Sequence, residues 1–371
     1  MHYFIYSTSD TWISSGSNRT TGETERDQNF GGDQILEVKK VFHNNEFDYP
    51  TRAIVSFTGT DFTALSKSVA DGTITNPKYY LRLYEADGNT GLTSTAYSLG
   101  IAAISESQWH EGTGKFGDVP KNTDGASWIN RTNAPGAPAN EWKVPGAGVY
   151  SESASAQTFN QGVSRDINAD VTDIVNGWLD RSLDSGEDGV RIAFAGVQEV
   201  DTSHFGELKY FSRNTNTIYA PKLEVKWDDH AIITGSATGS LTQMTSSGLV
   251  SNDIYMIGLK DSYKESDKIK FRLRPREKFV KKTFSTSYQT ATGSYIPEKS
   301  GSYSIKDVAA DETIVPFSEY TYLSCDSKSN YFIQWLNTFE PDRVYKILYK
   351  LTYDDGQEEI IDNDFEFKIK R

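Results

Sequence analysis

The residues best suited to proton transfer near neutral pH are the five histidines, and they are scattered along the chain. Histidine is the usual choice for general acid or base chemistry because its pKa lies near 7. His2, His43, His110, His204 and His230 stand singly, with no His-x-Glu, His-Glu-x-x-His or Cys/His spacing. This pattern disfavours metal ligation by histidine or cysteine and indicates no catalytic residue.

Two other kinds of segment superficially resemble binding sites, one for phosphate and one for calcium, and both lack the spacing that such a site requires. Gly-Thr-Gly-Lys-Phe-Gly at 112–117 resembles a phosphate loop, but Trp109 and Phe116 stand where that loop needs Gly and Ser or Thr. The acidic stretches 180–188 and 354–364 lack the ligand spacing of a calcium loop. We therefore expect solvated turns and no cofactor. Paired carboxylates for glycoside hydrolysis cannot be recognised from spacing, and 51 acidic residues always contain some pair.

Composition and charge narrow the class of partner. The chain of 371 residues has a net charge of −13, which argues against nucleic acid because phosphate binding needs clustered Lys and Arg. The one cysteine, Cys325, cannot form an internal disulfide, and we expect a buried thiol near Leu323 and Tyr331. The 47 aromatic residues (7 Trp, 21 Tyr and 19 Phe) favour sheets over helices.

Short runs of alternating apolar and polar residues predict antiparallel strands along most of the chain. The inward residues we expect from this alternation are Ala53, Val55, Phe57, Tyr79, Leu81, Leu83, Val190, Ile192, Phe194, Leu223, Val225 and Trp227. One segment, 170–179, has helical spacing behind Asp170, a suitable N-cap. Residues 111–164 are rich in Gly, Pro, Asn and Ser, which predicts long loops with brief strands.

The sequence predicts two antiparallel β-sandwich domains of jelly-roll or immunoglobulin-like type, with one short helix in the first. The first domain is residues 1–228, and a Gly/Ser/Thr-rich stretch at 229–250 is expected to be a flexible connector. The second domain, 251–371, is expected to be a small immunoglobulin-like sandwich. Its clearest alternation brings Ile269, Phe271, Leu273, Phe365, Phe367 and Ile369 to one core, and Asp355-Gly356 predicts a hairpin turn.

The acidity is concentrated in the first domain. Residues 229–371 hold 19 Lys and Arg against 21 Asp and Glu, a net charge of −2, which leaves −11 on residues 1–228. Ten of those 19 bases fall in 260–282. They could form a contact surface for an acidic neighbour, although the solvated outer face of an edge strand explains such lysines more simply.

No segment indicates a membrane span or a signal peptide. The first residues, Met-His-Tyr-Phe-Ile-Tyr-Ser, lack a charged region followed by a long apolar run, and the apolar stretches elsewhere are only strand length. We therefore expect a protein that is made in the cytoplasm, which would be that of the host cell if the chain belongs to a virion, and that has no membrane partner.

Four pieces of residues 8–228 follow one another in a characteristic order. The first is Asp-Thr-Trp-Ile-Ser-Ser-Gly-Ser at 10–17, with Asn-Phe-Gly-Gly at 29–32. The second is Trp-His-Glu-Gly-Thr-Gly at 109–114, followed by Gly-Ala-Ser-Trp-Ile-Asn at 125–130 and by Trp142. The third is Val-Thr-Asp-Ile-Val-Asn-Gly-Trp at 171–178, and the fourth is Phe-Ser-Arg at 211–213 with a strand at 221–225. This ordered set resembles the DNRLRE-like family of β-sandwich modules.

The resemblance implies a β-sandwich fold. The family overlaps a class of carbohydrate-binding modules, and its members also occur in virion and cell-surface proteins. Relatives usually carry an acidic residue beside the closing arginine, where this chain has Ser212 and Asn214 around Arg213. Under a sugar-binding hypothesis, Trp128 and Trp142 are the candidate residues that stack on a glycan. The alternative for each tryptophan is structural packing, which is the commoner role of large aromatic side chains.

Three hypotheses of function follow. The first is a structural component of a bacteriophage virion, in the neck, collar, tail or capsid-attached position, that binds other virion proteins and copies of itself. The second is a carbohydrate-binding or adhesive module at a cell or virion surface. The third is a polysaccharide lyase or glycosidase, which no residue pattern in the sequence supports. The acidic tandem β-domains and the single cysteine favour the first hypothesis.

Overall fold

The computed structural model describes residues 1–17, 22–40, 42–43, 46–47, 49–87, 96–106, 108–160, 164–183, 189–204, 206–246, 251–279, 284 and 293–371. Strands account for 43% of the residues and helices for 9%, and the main sheets are antiparallel, so the predicted all-β sandwich class is confirmed. The chain divides into two compact units. The first unit is Phe4–Thr73 with Pro77–Val225, and the second is Lys226–Arg371 with Met1–Tyr3 and Ile74–Asn76.

Fifteen described strands precede residue 227, and two sheets contain most of the first unit. The strands are β1 (His2–Tyr6), β2 (Ser9–Ser14), β3 (Ile35–Lys40), β4 (Phe42–His43), β5 (Glu46–Phe47), β6 (Thr51–Ser56), β7 (Lys78–Leu83), β8 (Tyr97–Ile104), β9 (Asn130–Thr132), β10 (Asn140–Glu141), β11 (Val149–Phe159), β12 (Ile167–Asp170), β13 (Val190–Phe194), β14 (Gly206–Phe211) and β15 (Lys222–Lys226). The larger sheets have the orders β1-β15-β7-β12 and β11-β8-β13-β6-β2. Smaller ones pair β14 with β3, β10 with β9 and β4 with β5.

The described part of the first unit contains two α-helices, α1 (Thr60–Ala70) and α2 (Thr172–Leu179), where the sequence predicted one. The predicted helix is α2; its N-cap is Val171, and the Asp170 carboxylate accepts the Thr172 amide at 2.9 Å. The helix α1 was missed because its buried face is only Phe62 and Leu65, too few apolar positions to give a period. Short 3-10 turns lie at Gly196–Glu199, Glu319–Thr321 and Leu336–Thr338.

The strand β11 is longer than the brief strands expected within 111–164. Its eleven residues pair antiparallel with β8, with a register shift between Val149 and Ala154, and it lies at the edge of the five-stranded sheet. Ser, Ala, Gln and Thr predominate in it. Pairing with β8 therefore determines this strand more than any alternation of large apolar side chains does.

The second unit has two principal sheets. Its strands are β16 (Thr242–Gln243), β17 (Asn252–Ile257), β18 (Ser262–Lys264), β19 (Lys268–Glu277), β20 (Ser294–Tyr295), β21 (Gly301–Asp307), β22 (Glu312–Val315), β23 (Ser324–Cys325), β24 (Asn330–Trp335), β25 (Val344–Thr352) and β26 (Glu358–Lys370). The sheet orders are β17-β19-β24-β23 and β18-β26-β25-β21-β22, and β16 pairs with β20. The turn predicted at Asp355-Gly356 joins β25 to β26, with Gly356 at φ 82°.

The stretch 229–250, which the sequence indicates as a connector, is grouped with the second unit as far as residue 246. There β16 pairs parallel with β20, and the Met244 amide donates to the Tyr295 carbonyl at 2.8 Å. Thr238 and Met244 are buried. Ser and Thr hydroxyls and backbone pairing hold this segment, which composition alone does not reveal; residues 247–250 lie outside the described part.

The core of the second unit is aromatic. Tyr303 stacks on Phe332 with ring centroids 3.8 Å apart, and Phe271 stacks on Phe332 at 5.1 Å. Of the six residues expected to face one core, Phe271, Leu273, Phe367 and Ile369 are buried, whereas Ile269 and Phe365 are half-buried. The predicted register of β19 and β26 is therefore confirmed, because a shift by one residue would expose the whole set.

Candidate functional site

Three of the four pieces that carry the family resemblance meet in one cluster of the first unit. The Arg213 amide donates to Asp10 Oδ2 at 2.7 Å, and the Asp10 amide donates to Glu111 Oε1 at 3.2 Å. Arg213 Nη1 donates to Glu111 Oε2 at 2.8 Å. Glu111 thus supplies the carboxylate that the sequence does not place beside Arg213. The helix α2, the third piece, makes none of these contacts.

Asn29 joins the opening and central pieces through its side-chain amide. Its Nδ2 donates to the Glu111 carbonyl at 2.7 Å and to the Ala126 carbonyl at 2.9 Å. Its Oδ1 accepts the amides of Gly31 at 3.0 Å and Gly114 at 2.9 Å. All the hydrogen-bonding capacity of this fully buried amide is therefore satisfied by the loops it holds.

Two glycines explain why these loops approach so closely. A Cβ atom on Gly31 would lie 2.1 Å from the Glu111 carbonyl oxygen. A Cβ atom on Gly112, which has φ +81°, would lie 2.3 Å from Asn29 Oδ1. Both distances are impossible for a real side chain, so glycine is required at both positions.

Asp10 is the most perturbed carboxyl group of the cluster. It is 1% exposed, and burial raises its pKa to about 7, with the nearby Glu111 charge acting in the same direction. The Arg213 amide and charge and the Ser7 hydroxyl oppose that rise. Its Oδ1 atom is buried and has no hydrogen-bond partner within the described part of the chain. Burial also raises the pKa of Glu111.

The two tryptophans of the sugar-binding hypothesis lie inside the first unit. Trp142 is 3% exposed and Trp128 9% exposed, in a cluster with residues that include Ile13 and Ile104. Trp142 Nε1 donates to the Ser127 carbonyl at 2.8 Å. The Arg52 guanidinium lies 4.4 Å from the centroid of the Trp128 ring.

Ion pairing fixes that arginine over the ring. Arg52 donates to both oxygens of Glu199, at 2.7 and 2.8 Å, and to the Gly146 carbonyl. The contacts of Trp128 and Trp142 are those of side chains that order the loops 125–147, and both side chains are buried. Glycan stacking on these residues stays a hypothesis from the sequence.

One cluster superficially resembles a nucleophile, base and acid set. Asp201 Oδ2 and Ser203 Oγ both contact His204 Nδ1, the serine at 3.2 Å. A catalytic relay needs the hydroxyl and the carboxylate on opposite ring nitrogens, so this arrangement does not form one. Asp201 also pairs with the buried Lys40 ammonium at 3.2 Å, which identifies the cluster as a structural ion pair.

The remaining sequence candidates are placed as follows. Within the described residues, no three His, Cys, Asp or Glu side chains gather in a way that could hold a metal ion. Cys325 is buried, as expected, and burial raises the pKa of its thiol to about 11. The acidic stretch 180–188 is described only to residue 183.

The second unit presents a surface on which basic and aromatic side chains alternate. On β19 the outward side chains are Lys268, Lys270, Arg272, Arg274 and Arg276, about 6.7 Å apart because alternate strand residues share a face. The register places aromatic and aliphatic side chains on the same outer face of the two neighbouring strands. We call this surface the basic–aromatic face; its flanking residues are Tyr255 and Ile257 on β17 and Tyr331, Ile333 and Trp335 on β24.

The bases of this face are held in three ways: by aromatic rings, by carboxylates and by a backbone carbonyl. Lys268 Nζ lies 4.3 Å from the Trp335 ring centroid and Lys270 Nζ 4.0 Å from that of Tyr331, both in cation–π range. Arg272 makes a bidentate ion pair with Asp326, at 2.9 and 2.7 Å, which raises the pKa of Arg272. Arg276 pairs with Asp253 at 3.1 Å, and Arg274 Nε donates to the Lys328 carbonyl at 2.8 Å. Among the described residues, Lys268 and Lys270 have no carboxylate partner.

The sequence identified these bases but not their setting. It favoured an edge strand, whereas in the sheet order β19 lies between β17 and β24. The expectation holds only locally, because residues 268–271 pair with β24 alone and residues 274–277 with β17 alone. The aromatic half of the face was missed, although Tyr331, Ile333 and Trp335 alternate with buried Asn330, Phe332 and Gln334. That alternation was the available signal. Lys281 and Lys282, the last two bases of the run, lie outside the described residues.

Comparison with known proteins gives little guidance. No family model and no curated protein matches the chain. Among solved structures, the adhesin domain of Epf from Streptococcus pyogenes aligns with 100% of this chain and 91% of that chain, at 8% identity and a TM-score of 0.19. A score this low carries no argument about function. Of the helices that the structure describes, none is both long and apolar enough to cross a membrane.

Proposed function

We propose that this chain is a non-catalytic assembly protein, a structural component of a larger particle such as a bacteriophage virion. In this proposal it docks onto an acidic protein surface through the basic–aromatic face. The observation that carries the proposal is the row of five outward bases flanked by solvent-exposed side chains. Tyr255, Ile257 and Trp335 are each 37% to 39% exposed, although tryptophan and isoleucine are usually buried.

The composition of the face favours a protein partner. Arg, Tyr and Trp are the residues most enriched where protein interfaces concentrate their binding energy. The lysines without carboxylate partners would attract an acidic surface and orient it during encounter. Nucleic acid is disfavoured as the acidic partner because the whole chain carries a charge of −13. Other copies of this chain are one source of acidic surface, since residues 1–228 carry −11 of that charge.

The carbohydrate-binding alternative has less support from the geometry. Its two candidate residues, Trp128 and Trp142, are buried and held by structural contacts. If a glycan nevertheless bound to the first unit, and Trp142→Ala abolished binding without unfolding the chain, that alternative would replace the assembly proposal.

Charge reversal on the face tests the proposal. The double variant Lys270→Glu/Arg274→Glu should fold, with a melting temperature of the second unit close to that of the parent chain, and should fail to incorporate into the native particle. Lys264→Glu/Lys299→Glu is the matched control, because it makes the same change of charge at exposed positions outside the face. Equal incorporation of the two double variants would contradict the proposal.

A separate assay tests the non-catalytic part of the proposal. We expect no hydrolysis or elimination when the isolated chain is incubated with a panel of acidic and neutral polysaccharides. Turnover that one carboxylate or histidine substitution abolishes, without loss of folding, would overturn it.

A further inference from the structure

A pocket of about 230 Å³ opens at one end of the basic–aromatic face. Its walls include Ile257, Leu259 and Phe271, and its charged lining includes Lys260, Lys268 and Lys270. None of the described residues that line it is acidic. The volume is below the 300–1,000 Å³ typical of sites for organic ligands. A single side chain is the size of group that such a pocket accommodates.

Unequal strand lengths create the pocket. The strand β17 ends at Ile257, opposite Arg272, whereas β19 begins four residues earlier at Lys268. On its other side β19 pairs with β24 from Lys268 to Leu273. The segment Lys268–Phe271 therefore has a neighbouring strand on one side and the pocket on the other. Gly258, with φ +72°, turns the chain away after β17 and leaves the gap.

The lysines around the pocket form no ion pair among the described residues. Lys268 and Lys270 lie over aromatic rings, which hold their ammonium groups without neutralising the charge. The Lys260 amide donates to the Tyr263 hydroxyl at 2.9 Å, which fixes the backbone at the rim. Lys260 itself is exposed. The two rings under Lys268 and Lys270 belong to β24, on the opposite side of β19 from the pocket, so Lys260 is the base that remains to meet a ligand at the opening. No acidic residue lines the described pocket.

We propose that this pocket is the specificity site of the basic–aromatic face and takes the side chain of one glutamate from the acidic protein partner, an inference that rests on the proposed function. The side chains of Ile257 and Leu259 match the methylene groups of glutamate, and the Lys260 ammonium group matches its carboxylate. The rest of the face then supplies attraction without sequence preference, and the pocket selects where the partner binds. A group without methylenes, such as inorganic phosphate, would gain charge attraction but no contact with the walls.

The test measures binding of fluorescein-labelled octaglutamate to the full-length chain by fluorescence anisotropy at low ionic strength. Lys260→Gln should weaken binding about tenfold, and Leu259→Trp, which fills the pocket, should weaken it by at least as much. Octaaspartate, one methylene shorter at each side chain, should bind about threefold or more weakly than octaglutamate. Lys264→Gln is the control for the loss of one charge near the pocket and should have less than a twofold effect.

Three results would overturn the pocket proposal. The first is no binding of octaglutamate to the unmodified chain, and the second is an equal loss in Lys260→Gln and Lys264→Gln. The third is an oligogalacturonate that binds more tightly than octaglutamate and is sensitive to Leu259→Trp, which would make the ligand an acidic glycan. Under any of these results the assembly proposal still depends on Lys270→Glu/Arg274→Glu in the particle, so the two proposals fail separately.

Discussion

The carboxylate of Asp10 accepts the backbone amide of Arg213 at 2.7 Å, across 203 positions of sequence. Among the described residues, the second oxygen of the same carboxylate is buried and has no hydrogen-bond partner. A buried polar atom without a partner costs stability, and the cost is larger when the group is charged. The opening and closing pieces of the first unit are therefore joined by a carboxyl group whose pKa burial raises to about 7, so that it titrates near neutral pH.

Asp10 makes the stability of the first unit depend on pH. Its pKa is raised from 3.8 to about 7 by burial, so the folded state holds this proton more tightly than the unfolded chain does. The stabilisation is complete below about pH 4, is lost as the pH rises to about 7, and amounts to roughly 4 kcal/mol. Chemical denaturation at several pH values measures this decline.

The variant Asp10→Asn should remove this contribution, because asparagine does not ionise. Between pH 4 and pH 8 the parent chain should lose roughly 4 kcal/mol of unfolding free energy through Asp10, and the variant should not. The variant therefore gains stability relative to the parent at pH 8. The control Asp173→Asn, at an exposed position of the same unit, should show the same pH dependence of stability as the parent chain. A pH dependence unchanged by Asp10→Asn would show that Asp10 is not the group responsible.

The structural role of Trp142 predicts a large loss of stability on truncation. Trp142→Ala removes a buried indole from the cluster around Ile13 and Ile104 and leaves the Ser127 carbonyl without its donor. We expect a loss of about 3–5 kcal/mol in the unfolding free energy of the first unit. Trp335→Ala, at a 37% exposed position, should cost clearly less. Similar losses in the two variants would contradict this placement.

The two phenylalanines of β26 offer a matched pair for the second unit. Phe367 is 1% exposed and contacts the rings of Tyr263, Phe271 and Tyr345, whereas Phe365 is half-buried. Phe367→Ala should cost about 3–5 kcal/mol, and Phe365→Ala clearly less. Urea denaturation followed by circular dichroism measures both. A cost below about 1 kcal/mol for Phe367→Ala would show that the inward face of β26 is misassigned.

Local alternation was enough to predict many of the strands and much of the core. Phe271, Leu273 and Phe367 are buried as predicted, since period-two patterning follows directly from strand geometry. The helix α1 was not predicted, because two buried residues do not establish a helical period. The full length of the strand β11 was not predicted, because pairing with a partner strand determines its conformation more than its own residues do.

The candidate sites were harder to predict because they depend on residues distant in sequence. Asp10, Glu111 and Arg213 belong to three separate pieces, and only the fold brings them into contact. The bases of β19 were visible as a run, but their aromatic partners are about 60 residues away, on β24. Register between strands decides such neighbours, and a single sequence does not encode it in any local pattern.

The most direct test of the assembly proposal is a cryo-electron microscopy map of the native particle that contains this chain. We predict that Lys270, Arg274 and Trp335 are buried against an acidic protein surface, in an interface that removes at least about 1,200 Å² in total from solvent. A map in which the basic–aromatic face is open to solvent in every copy would contradict the account.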